Sequence, residues 1–322
     1  MMRNILVSGA SGIVGYGILR SLRKSGMNLN LIGTSIHNDS VAQGFSDVFE
    51  IAPATADDGY LSWLFEVIEK HHIDLMIPGI EADMYRWNEF KDEIEKTTGA
   101  RVVMNNEDLI NLCSDKWLFY EELKKTKTPY CIESSLSTVF NDLVERFSIP
   151  FLMKPRKGFG SKGIVRVYNQ ADFLNHSDSI GSVLMVQPIV GTDDEEYTTS
   201  AFCNGRGGFF CSMTLKRRLS KEGFTEKAEV VEIEGIQQAL EVLCNLFKPL
   251  GPTNFQFRLH NGKLKLLEIN PRVSSSTSIR SSFGYNESMM AVDYFIDNKE
   301  PLQPFIRKGK AVRYVEDFIF FE

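Results

Sequence analysis

The chain has 322 residues, which is long enough for two or three domains with ample cores. Its 36 basic and 42 acidic residues give a net charge of −6, so nothing in the charge indicates a nucleic-acid or anionic-membrane partner. The five cysteines show no CxxC spacing, which argues against a disulfide framework or a zinc site. No apolar run approaches the roughly 18 residues of a membrane span, and the first residues lack a signal-peptide pattern, so we expect a cytoplasmic protein.

Apolar segments alternate with amphipathic segments over the first 105 residues. This alternation predicts a parallel, doubly wound sheet covered by helices. The predicted strands span residues 4–7, 29–33, 74–78 and 101–104, and the predicted helices span residues 12–24, 60–70 and 84–96.

A glycine-rich turn follows the first predicted strand. Gly9, Gly12 and Gly15 have a spacing close to GxGxxG, which could hold a dinucleotide pyrophosphate at a helix N-terminus. The acidic residue that such sites carry at the end of the second strand is missing, since Thr34 and Ser35 stand there. The alternative is a tight turn that lets the helix pack closely on the sheet, and the sequence leaves both interpretations open.

Glu81 comes just after the predicted strand at residues 74–78. Ligands of open parallel sheets bind at the carboxyl ends of the strands, so Glu81 could contact a substrate. It could equally be an exposed acid at a helix start, where the helix dipole favours negative charge.

Residues 113–128 predict a helix that Ser114 can cap, with Asp115 adding a favourable charge in the first turn. Lys116 follows in the same turn. Tyr120 and Lys124 form a YxxxK pair of the kind that transfers protons in short-chain dehydrogenases. The many charged residues around this pair indicate a solvated helix face instead of a buried site.

A glycine-rich loop follows the strand predicted at the segment IPFLMK. Lys154 ends that strand, and the glycines after it allow backbone amides to approach a polyphosphate. A strand and not a helix follows the loop, so this is not a P-loop. The pattern predicts a phosphate-binding lid, and the alternative is a plain glycine hairpin with solvated lysines. The residues concerned are Lys157, Gly158, Gly160, Ser161, Lys162 and Gly163.

The next segment, VLMVQPIVGTDDEEYTTSAF, predicts two strands joined by a short linker. Backbone groups of the linker could face an adenine, and Glu196 could reach a ribose hydroxyl. The acidic stretch could also be an exposed strand start. The linker residues concerned are Gln187, Pro188, Ile189 and Val190.

Residues 251–272 predict two strands joined by a turn, because polar and apolar residues alternate before the pair Asn261 and Gly262. Glu268 and Asn270 are two residues apart on the second strand and therefore share one face. Their oxygens suit Mg²⁺, which completes its octahedron with water and nucleotide phosphates. Arg272 can bind a phosphoryl oxygen with its forked guanidinium. The alternative is an amphipathic hairpin at a sheet edge with solvated polar ends.

Taken in this order, these segments resemble the ATP-grasp superfamily, and in particular one synthetase half of the carbamoyl phosphate synthetase large subunit. The resemblance covers nearly the whole chain. The motifs that carry it are SDK at 114–116, MKPRKGFGSKG at 153–163, VQPIVG and EEYTTS within 186–200, NFQF at 254–257 and LLEINPR at 266–272.

The resemblance implies an α/β fold in three parts. Residues 1–105 would form a doubly wound parallel-sheet domain, called pre-ATP-grasp, that supports the substrate pocket and does not bind NAD. A two-lobed α+β ATP-grasp domain would follow, with a small lobe and lid at 106–185 and a C-terminal lobe at 186–322 that carries the metal and phosphate site.

The resemblance also implies a role for each matched residue. Gln187 stands where many relatives carry an acid beside the adenine, which weakens the match at that position. The implied roles are ATP phosphate binding by Lys116, Lys154, Gly160 and Ser161, adenine binding by Gln187, Pro188, Ile189 and Val190, ribose binding by Glu196, Mg²⁺ or Mn²⁺ binding by Gln256, Glu268 and Asn270, and catalysis by Arg272 and Asn270.

The implied reaction is an ATP-dependent ligation that makes an amide-like bond. A small-molecule carboxylate would form an acyl phosphate, which an amine or thiol would then attack, and the protein could act as a homodimer. The chain has one synthetase half and no glutaminase region, so carbamoyl phosphate synthesis itself is not expected. The basic segment 216–229 could meet a carboxylate.

Two other functions remain open at this point. The glycine turn and the Tyr120/Lys124 pair would suit an NAD(P)-dependent short-chain-type oxidoreductase or epimerase. A non-catalytic module would bind ATP without turning it over.

The turn between the last two strands tests whether Gln256 shares the proposed metal site. A regular two-residue loop at Asn261 and Gly262 would turn Gln256 to the face opposite Glu268. If Gln256, Glu268 and Asn270 serve one site, the hairpin needs an odd-length loop or an equivalent bulge. We predict that it has one or the other.

Overall fold

Three sheets follow one another along the chain in the computed structural model, which describes residues 2–158 and 162–320. No helix within these ranges is long and apolar enough to cross a membrane. The sheets span residues 3–102, 151–188 and 196–312. On this basis we propose a first domain, a small lobe and a large lobe, with the last boundary after the third strand of the small lobe.

The first sheet is parallel throughout, as the sequence predicts, with strand order β3-β2-β1-β4-β5. Side chains of β1 point alternately into two cores, since Ile5 and Val7 belong to one and Leu6 to the other. Helices therefore cover both faces. The elements are β1 (Arg3–Val7), α1 (Ile13–Arg23), β2 (Leu29–Ser35), β3 (Val48–Ile51), α2 (Tyr60–His71), β4 (Leu75–Ile77), α3 (Glu81–Thr98) and β5 (Arg101–Val102).

The glycine turn after β1 is closely packed. A Cβ atom on Gly15 would lie 2.4 Å from the carbonyl oxygen of Gly9, and one on Gly79 would lie 2.1 Å from that of Ser8. Only glycine allows α1 to approach the sheet this closely. The turn therefore has a packing role that needs no bound dinucleotide.

The small lobe has its own core, formed by Leu143, Phe151, Met153, Phe173 and Val186 among others. Its antiparallel sheet has the order β7-β6-β8. The elements of this part are α4 (Glu107–Cys113), α5 (Lys116–Lys125), α6 (Phe140–Phe147), β6 (Phe151–Pro155), β7 (Val165–Val167), α7 (Gln170–Leu174) and β8 (Leu184–Pro188).

The large lobe is built on an antiparallel six-stranded sheet with order β13-β12-β9-β10-β11-β14. Helix α8 packs on one face, where Leu240 and Leu243 meet Phe255 and Phe257. The elements are β9 (Glu196–Asn204), β10 (Phe209–Leu219), β11 (Thr225–Val230), α8 (Ile236–Phe247), β12 (Leu250–His260), β13 (Lys263–Asn270), α9 (Thr277–Ser282), α10 (Glu287–Asp297) and β14 (Lys310–Val312).

The first domain and the large lobe share one core. Ile5 and Ile18 of the first domain belong to the same buried cluster as Phe202 and Met213 of the large lobe. Helix α1 packs against α9 and α10 along this junction. The carboxyl end of the parallel sheet is thereby fixed next to the end of β13, where the polar residues of the last hairpin lie.

Candidate functional site

A cleft opens where the first domain, α5, the small lobe and β13 meet, and its empty space, open solvent included, is about 770 Å³. The residues that line it are Glu81, Met84, Tyr85, Cys113, Ser114, Lys116, Phe119, Tyr120, Leu123, Cys131, Ile132, Lys154, Gly158, Gln187, Leu266, Leu267, Glu268, Ile269, Asn270 and Pro271.

The hairpin of β12 and β13 places Gln256 and Glu268 side by side. Its turn is the regular two-residue loop, with His260 opposite Lys263, so an odd-length loop is wrong. The register then shifts by one residue, because Phe257 pairs with Leu266 whereas Gln256 pairs with Glu268. This shift is the equivalent bulge that the sequence analysis predicts, and it brings both polar side chains to one face.

The polar face of the hairpin carries one carboxylate and two amides. Asn270 Nδ2 donates to Glu268 Oε1 at 3.1 Å, and Gln256 Oε1 accepts from Arg217 Nη2 at 2.6 Å. Burial raises the pKa of Glu268, but Lys116, the Asn270 hydrogen bond and Lys154 outweigh it and leave that pKa below its ordinary value. Glu268 is therefore an anion that faces cations across the cleft.

Lys154, at the end of β6, is the most perturbed cation of the cleft. Burial, with help from the nearby positive charge of Lys116, lowers its pKa to about 8, and Glu268 offsets only part of this effect. Lys154 Nζ donates to Gln187 Oε1 at 2.7 Å, and Gln187 Nε2 donates to Ser134 Oγ at 2.9 Å. Both ends of the Gln187 side chain are thus engaged. A ligand with negative charge would complete the solvation of Lys154.

Lys116 is held at the mouth of the cleft by the start of α5. Asp115 caps this helix by accepting from the backbone of Trp117 and Leu118, so the predicted cap at Ser114 is wrong. Ser114 instead follows the last residue of α4. Asp115 also pairs with Arg156 of the small lobe at 2.7 Å, which ties α5 to the end of β6. The Lys116 ammonium donates to the carbonyl of Gly158 at 2.6 Å.

Arg272 follows β13 and reaches the first domain. Its Nε and Nη2 donate to Glu81 Oε1 at 3.1 and 2.5 Å, and Nη2 also donates to Asn270 Oδ1 at 3.2 Å. Glu81 begins α3 at the carboxyl end of β4. Glu81 therefore begins a helix and lines the cleft, with its side chain only 20% exposed, and its contact with a substrate stays a prediction.

Several predicted site residues lie away from the lining of this cleft. Pro188, Ile189 and Val190 continue from β8 beyond Gln187, and residues 216–229 form the β10–β11 hairpin. Gly160 and Ser161 lie outside the described residues. Their roles stay predictions.

Glu196 is buried at the start of β9 between two arginines. Its Oε1 accepts from Arg217 Nε and Nη2 at 3.1 and 2.8 Å, and its Oε2 accepts from Arg258 Nε and Nη2 at 3.1 and 2.7 Å. Each oxygen already accepts two hydrogen bonds, so a ribose hydroxyl would have to compete with a guanidinium.

Sequence reasoning missed Tyr85, Cys113 and Arg217. Burial raises the pKa of Tyr85 to about 12 and raises that of the Cys113 thiol further, so neither supplies an anion at neutral pH. Tyr85 lies one helical turn after Glu81, and this spacing could have identified it. Arg217 meets Gln256 from a strand 39 residues away, and no local pattern points to that contact.

The donor set fits Mg²⁺ better than a softer metal. Among the described residues there is no group of three His, Cys, Asp or Glu side chains that could hold a metal ion. The possible ligand atoms are the oxygens of Glu268, Asn270 and Gln256, and a metal ion would share Asn270 Oδ1 and Gln256 Oε1 with Arg272 and Arg217. Mg²⁺ binds few protein oxygens and keeps water and phosphate ligands, so a single carboxylate with neighbouring amides suits it.

Comparisons with known proteins point to one family. A family model described as "ATP-grasp in the biosynthetic pathway with Ter operon" matches residues 183–318. The carbamoyl phosphate synthase large chain of Thermotoga maritima is 22% identical over an alignment 339 residues long with its gaps, which covers 92% of this chain and 30% of that protein. The carbamoyl phosphate synthase large chain of Methanosarcina acetivorans is 23% identical over an alignment 288 residues long with its gaps, which covers 81% of this chain and 26% of that protein. The chain thus spans less than a third of the length of these relatives.

Solved structures show the same fold. N5-carboxyaminoimidazole synthetase from Staphylococcus aureus, complexed with ADP, superposes with a TM-score of 0.72 at 19% identity, covering 94% of this chain and 80% of that one. A biotin carboxylase from Campylobacter jejuni superposes with a TM-score of 0.72 at 15% identity, covering 96% of this chain and 74% of that one. Residues 183–318 therefore match an ATP-grasp family, and the described chain has the fold of these solved structures. The chain also resembles part of the carbamoyl phosphate synthase large chain.

Proposed function

We propose that this protein is an ATP- and Mg²⁺-dependent carboxylate ligase that joins a small-molecule carboxylate to an amine or thiol. The observation that carries the proposal is the grouping of Lys116, Lys154, Glu268 and Asn270 around one cleft, with Arg272 at its edge. Nothing in the comparisons supports an oxidoreductase, and the glycine turn after β1 has a packing role.

The two lysines would bind the nucleotide phosphates. Lys154 is half-buried without an anionic hydrogen-bond partner among the described residues, so a phosphate oxygen would restore the solvation that its ammonium has lost. The linker from Gln187 to Val190 would contact adenine through backbone groups, because the Gln187 side chain is engaged on both sides. Glu196 would contact ribose only by sharing an oxygen with an arginine.

Glu268 and Asn270, with Gln256 beside them, would hold the metal ion. ATP with Mg²⁺ supplies the phosphoryl group and part of the charge neutralisation that its transfer needs. The protein's own part is to hold the reacting groups in line and to stabilise the charge that develops between them.

The proposed reaction has two steps. An oxygen of the substrate carboxylate attacks the terminal phosphorus while the bond to the bridging oxygen breaks, which gives ADP and an acyl phosphate. The amine or thiol then attacks the acyl carbon, loses a proton and displaces inorganic phosphate. Arg272 would stabilise charge on the transferred phosphoryl group, as a planar guanidinium suits two of its oxygens.

The proposed partners are the carboxylate, the nucleophile and a second copy of the chain. A solved relative from Hydrogenobacter thermophilus is described as a biotin carboxylase domain dimer, which supports a homodimer here. Sedimentation of the full chain at micromolar concentration would test this part, and a monomer at all concentrations would remove it from the proposal.

The function is tested by measuring ADP release with MgATP against panels of carboxylic acids and amines. We expect ADP release that requires one acid and one nucleophile and that disappears when Mg²⁺ is chelated. ATP binding without turnover under any combination would point to a non-catalytic nucleotide-binding module. Tight NADH binding, measured by fluorescence, would point to an oxidoreductase instead.

A further inference from the structure

Arg272 is nearly saturated with hydrogen bonds inside the protein. Its Nε and Nη2 donate to Glu81, Nη2 also donates to Asn270, and Nη1 donates to the carbonyl of Val273 at 3.1 Å. A guanidinium has five N–H groups, so one of them remains for a ligand. In this state Arg272 lacks the two parallel donors that a carboxylate or a phosphoryl group would use.

Among the described residues, Glu81 is the one partner of Arg272 that comes from a distant part of the chain. Asn270 and Val273 are fixed by the chain next to Arg272, whereas Glu81 approaches from the first domain, 191 residues away. The ion pair is partly exposed, since the side chains of Arg272 and Glu81 are 16% and 20% exposed. Glu81 and Asn270 line the cleft, and Arg272 contacts both without lining it. Moving Glu81 would therefore open Arg272 to the cleft.

The group that Glu81 presents to Arg272 is the same group that the proposed substrate carries. We propose that Glu81 occupies the place of the substrate carboxylate on Arg272 and so makes ATP cleavage depend on that substrate. This inference rests on the proposed ligase function. A substrate carboxylate in this place would itself attack the terminal phosphorus and so bring the phosphoryl group to Arg272, whereas Glu81 keeps the guanidinium in an ion pair within the protein.

Pairing of Arg272 with Glu81 would limit hydrolysis of the bound nucleotide by water. A nucleotide bound without the carboxylate would meet an Arg272 that is already paired with Glu81, so its charge could not stabilise attack by water on the terminal phosphate. Glu81 is thus a positioning residue, because it acts through Arg272. Its loss should increase wasteful hydrolysis, which a merely structural residue would not do.

The test uses the full chain with Glu81→Gln, which keeps the shape of the side chain and removes its charge. With MgATP alone, we expect ADP release to rise about tenfold over the wild type, within the range typical of couplings between sites. Glu89→Gln is the matched control, since Glu89 is exposed on the same helix, pairs with Arg86 and should change nothing. Glu81→Ala should act in the same direction as Glu81→Gln.

A second measurement does not depend on turnover. Inorganic phosphate, added as the probe in the presence of MgADP, should bind about tenfold tighter to Glu81→Gln than to the wild type. The gain should disappear in the double variant with Arg272→Gln. Unchanged phosphate affinity and unchanged basal ADP release in Glu81→Gln would overturn the inference while leaving the ligase proposal standing. Absence of nucleotide binding by the wild type would instead refute the proposed function.

Discussion

Gln256 of β12 lies directly opposite Glu268 of β13 because β13 contains one extra residue at this point of the ladder. Leu267 is the residue without a partner, between the pair Phe257–Leu266 and the pair Gln256–Glu268. A residue added to one strand exchanges the faces of all side chains beyond it. The bulge therefore decides which side chains share the polar face of the hairpin.

Removal of the Glu268 carboxylate should abolish Mg²⁺-dependent turnover. We expect Glu268→Ala to lower ADP release at least about 100-fold, the usual effect of losing one group that stabilises transition-state charge. Glu195→Ala is the control, because Glu195 ends a short helical turn before β9 and does not line the cleft. Steady-state rates over a Mg²⁺ titration measure both. Equal losses in the two variants would contradict the metal assignment.

Lys154→Met should weaken ATP binding while leaving the fold intact. Methionine keeps the length of the side chain but removes the charge, and a charged hydrogen bond contributes about 1.5–3 kcal/mol. We therefore expect the Kd for ATP to rise about 10- to 100-fold. Isothermal titration measures the affinity, and circular dichroism checks the fold. Lys125→Met is the control, because Lys125 is exposed and pairs with Glu122, and this variant should bind ATP as the wild type does. Equal ATP affinities of the wild type, Lys154→Met and Lys125→Met would refute the role of Lys154.

The affinity for ATP should fall as the pH rises through about 8. The pKa of Lys154 is lowered to about 8 chiefly by burial, so the free protein loses this positive charge above that pH. Binding of a phosphate favours the charged form, and each pH unit above the pKa then weakens binding by up to about tenfold. Titrations between pH 7 and 9 should show this slope in the wild type and lack it in Lys154→Met. The same slope in both proteins would assign it to another group.

Deprotonation of Lys154 should affect the free energy of unfolding in the direction opposite to its effect on ATP affinity. Between pH 8 and the ordinary lysine pKa of 10.5, the unfolded chain holds more protons at this position than the folded chain does. The free energy of unfolding should therefore rise with pH over this window, relative to Lys154→Met. Urea unfolding of both proteins at several pH values measures the difference.

The sequence predicted the elements whose signal is local. The strands and helices of the first domain follow from hydrophobic periodicity, and the two-residue loop follows from Asn261 and Gly262, both of which have positive φ angles. Strand β3 cannot be predicted from the sequence because its four residues, Val48–Ile51, are too few to show alternation. Ser114 and Asp115 are both good capping residues, and only the geometry of the α4–α5 turn decides between them.

The parts of the site that could not be predicted depend on contacts between distant segments. Glu81 and Arg272 are separated by 191 residues, and Arg217 and Gln256 by 39, so their pairing follows from the packing of whole domains. The bulge at Leu267 leaves no mark in the sequence either. It was predictable only from the requirement that Gln256, Glu268 and Asn270 act together, which came from the family resemblance.

The last prediction concerns Glu196, which has two possible roles. Its side chain and that of Arg217 are each only 5% exposed, and loss of one partner from a buried ion pair typically costs about 3–5 kcal/mol. We expect Glu196→Gln to lower the free energy of unfolding by about this amount, because Arg217 and Arg258 would both lose their anionic partner. Urea denaturation measures the change.

Asp193→Asn is the matched control for that measurement. Asp193 also pairs with Arg258 but is 72% exposed, so its removal should cost no more than about 1 kcal/mol. If Glu196→Gln also lowers the free energy of unfolding only slightly, the guanidiniums of Arg217 and Arg258 find other partners.

Binding of ATP and 2′-deoxy-ATP to Glu196→Gln tests the second role of Glu196, which is contact with the ribose. If Glu196 also meets the ribose, the variant should bind both nucleotides equally while the wild type prefers ATP, and a preference that survives the substitution would leave Glu196 with the structural role alone.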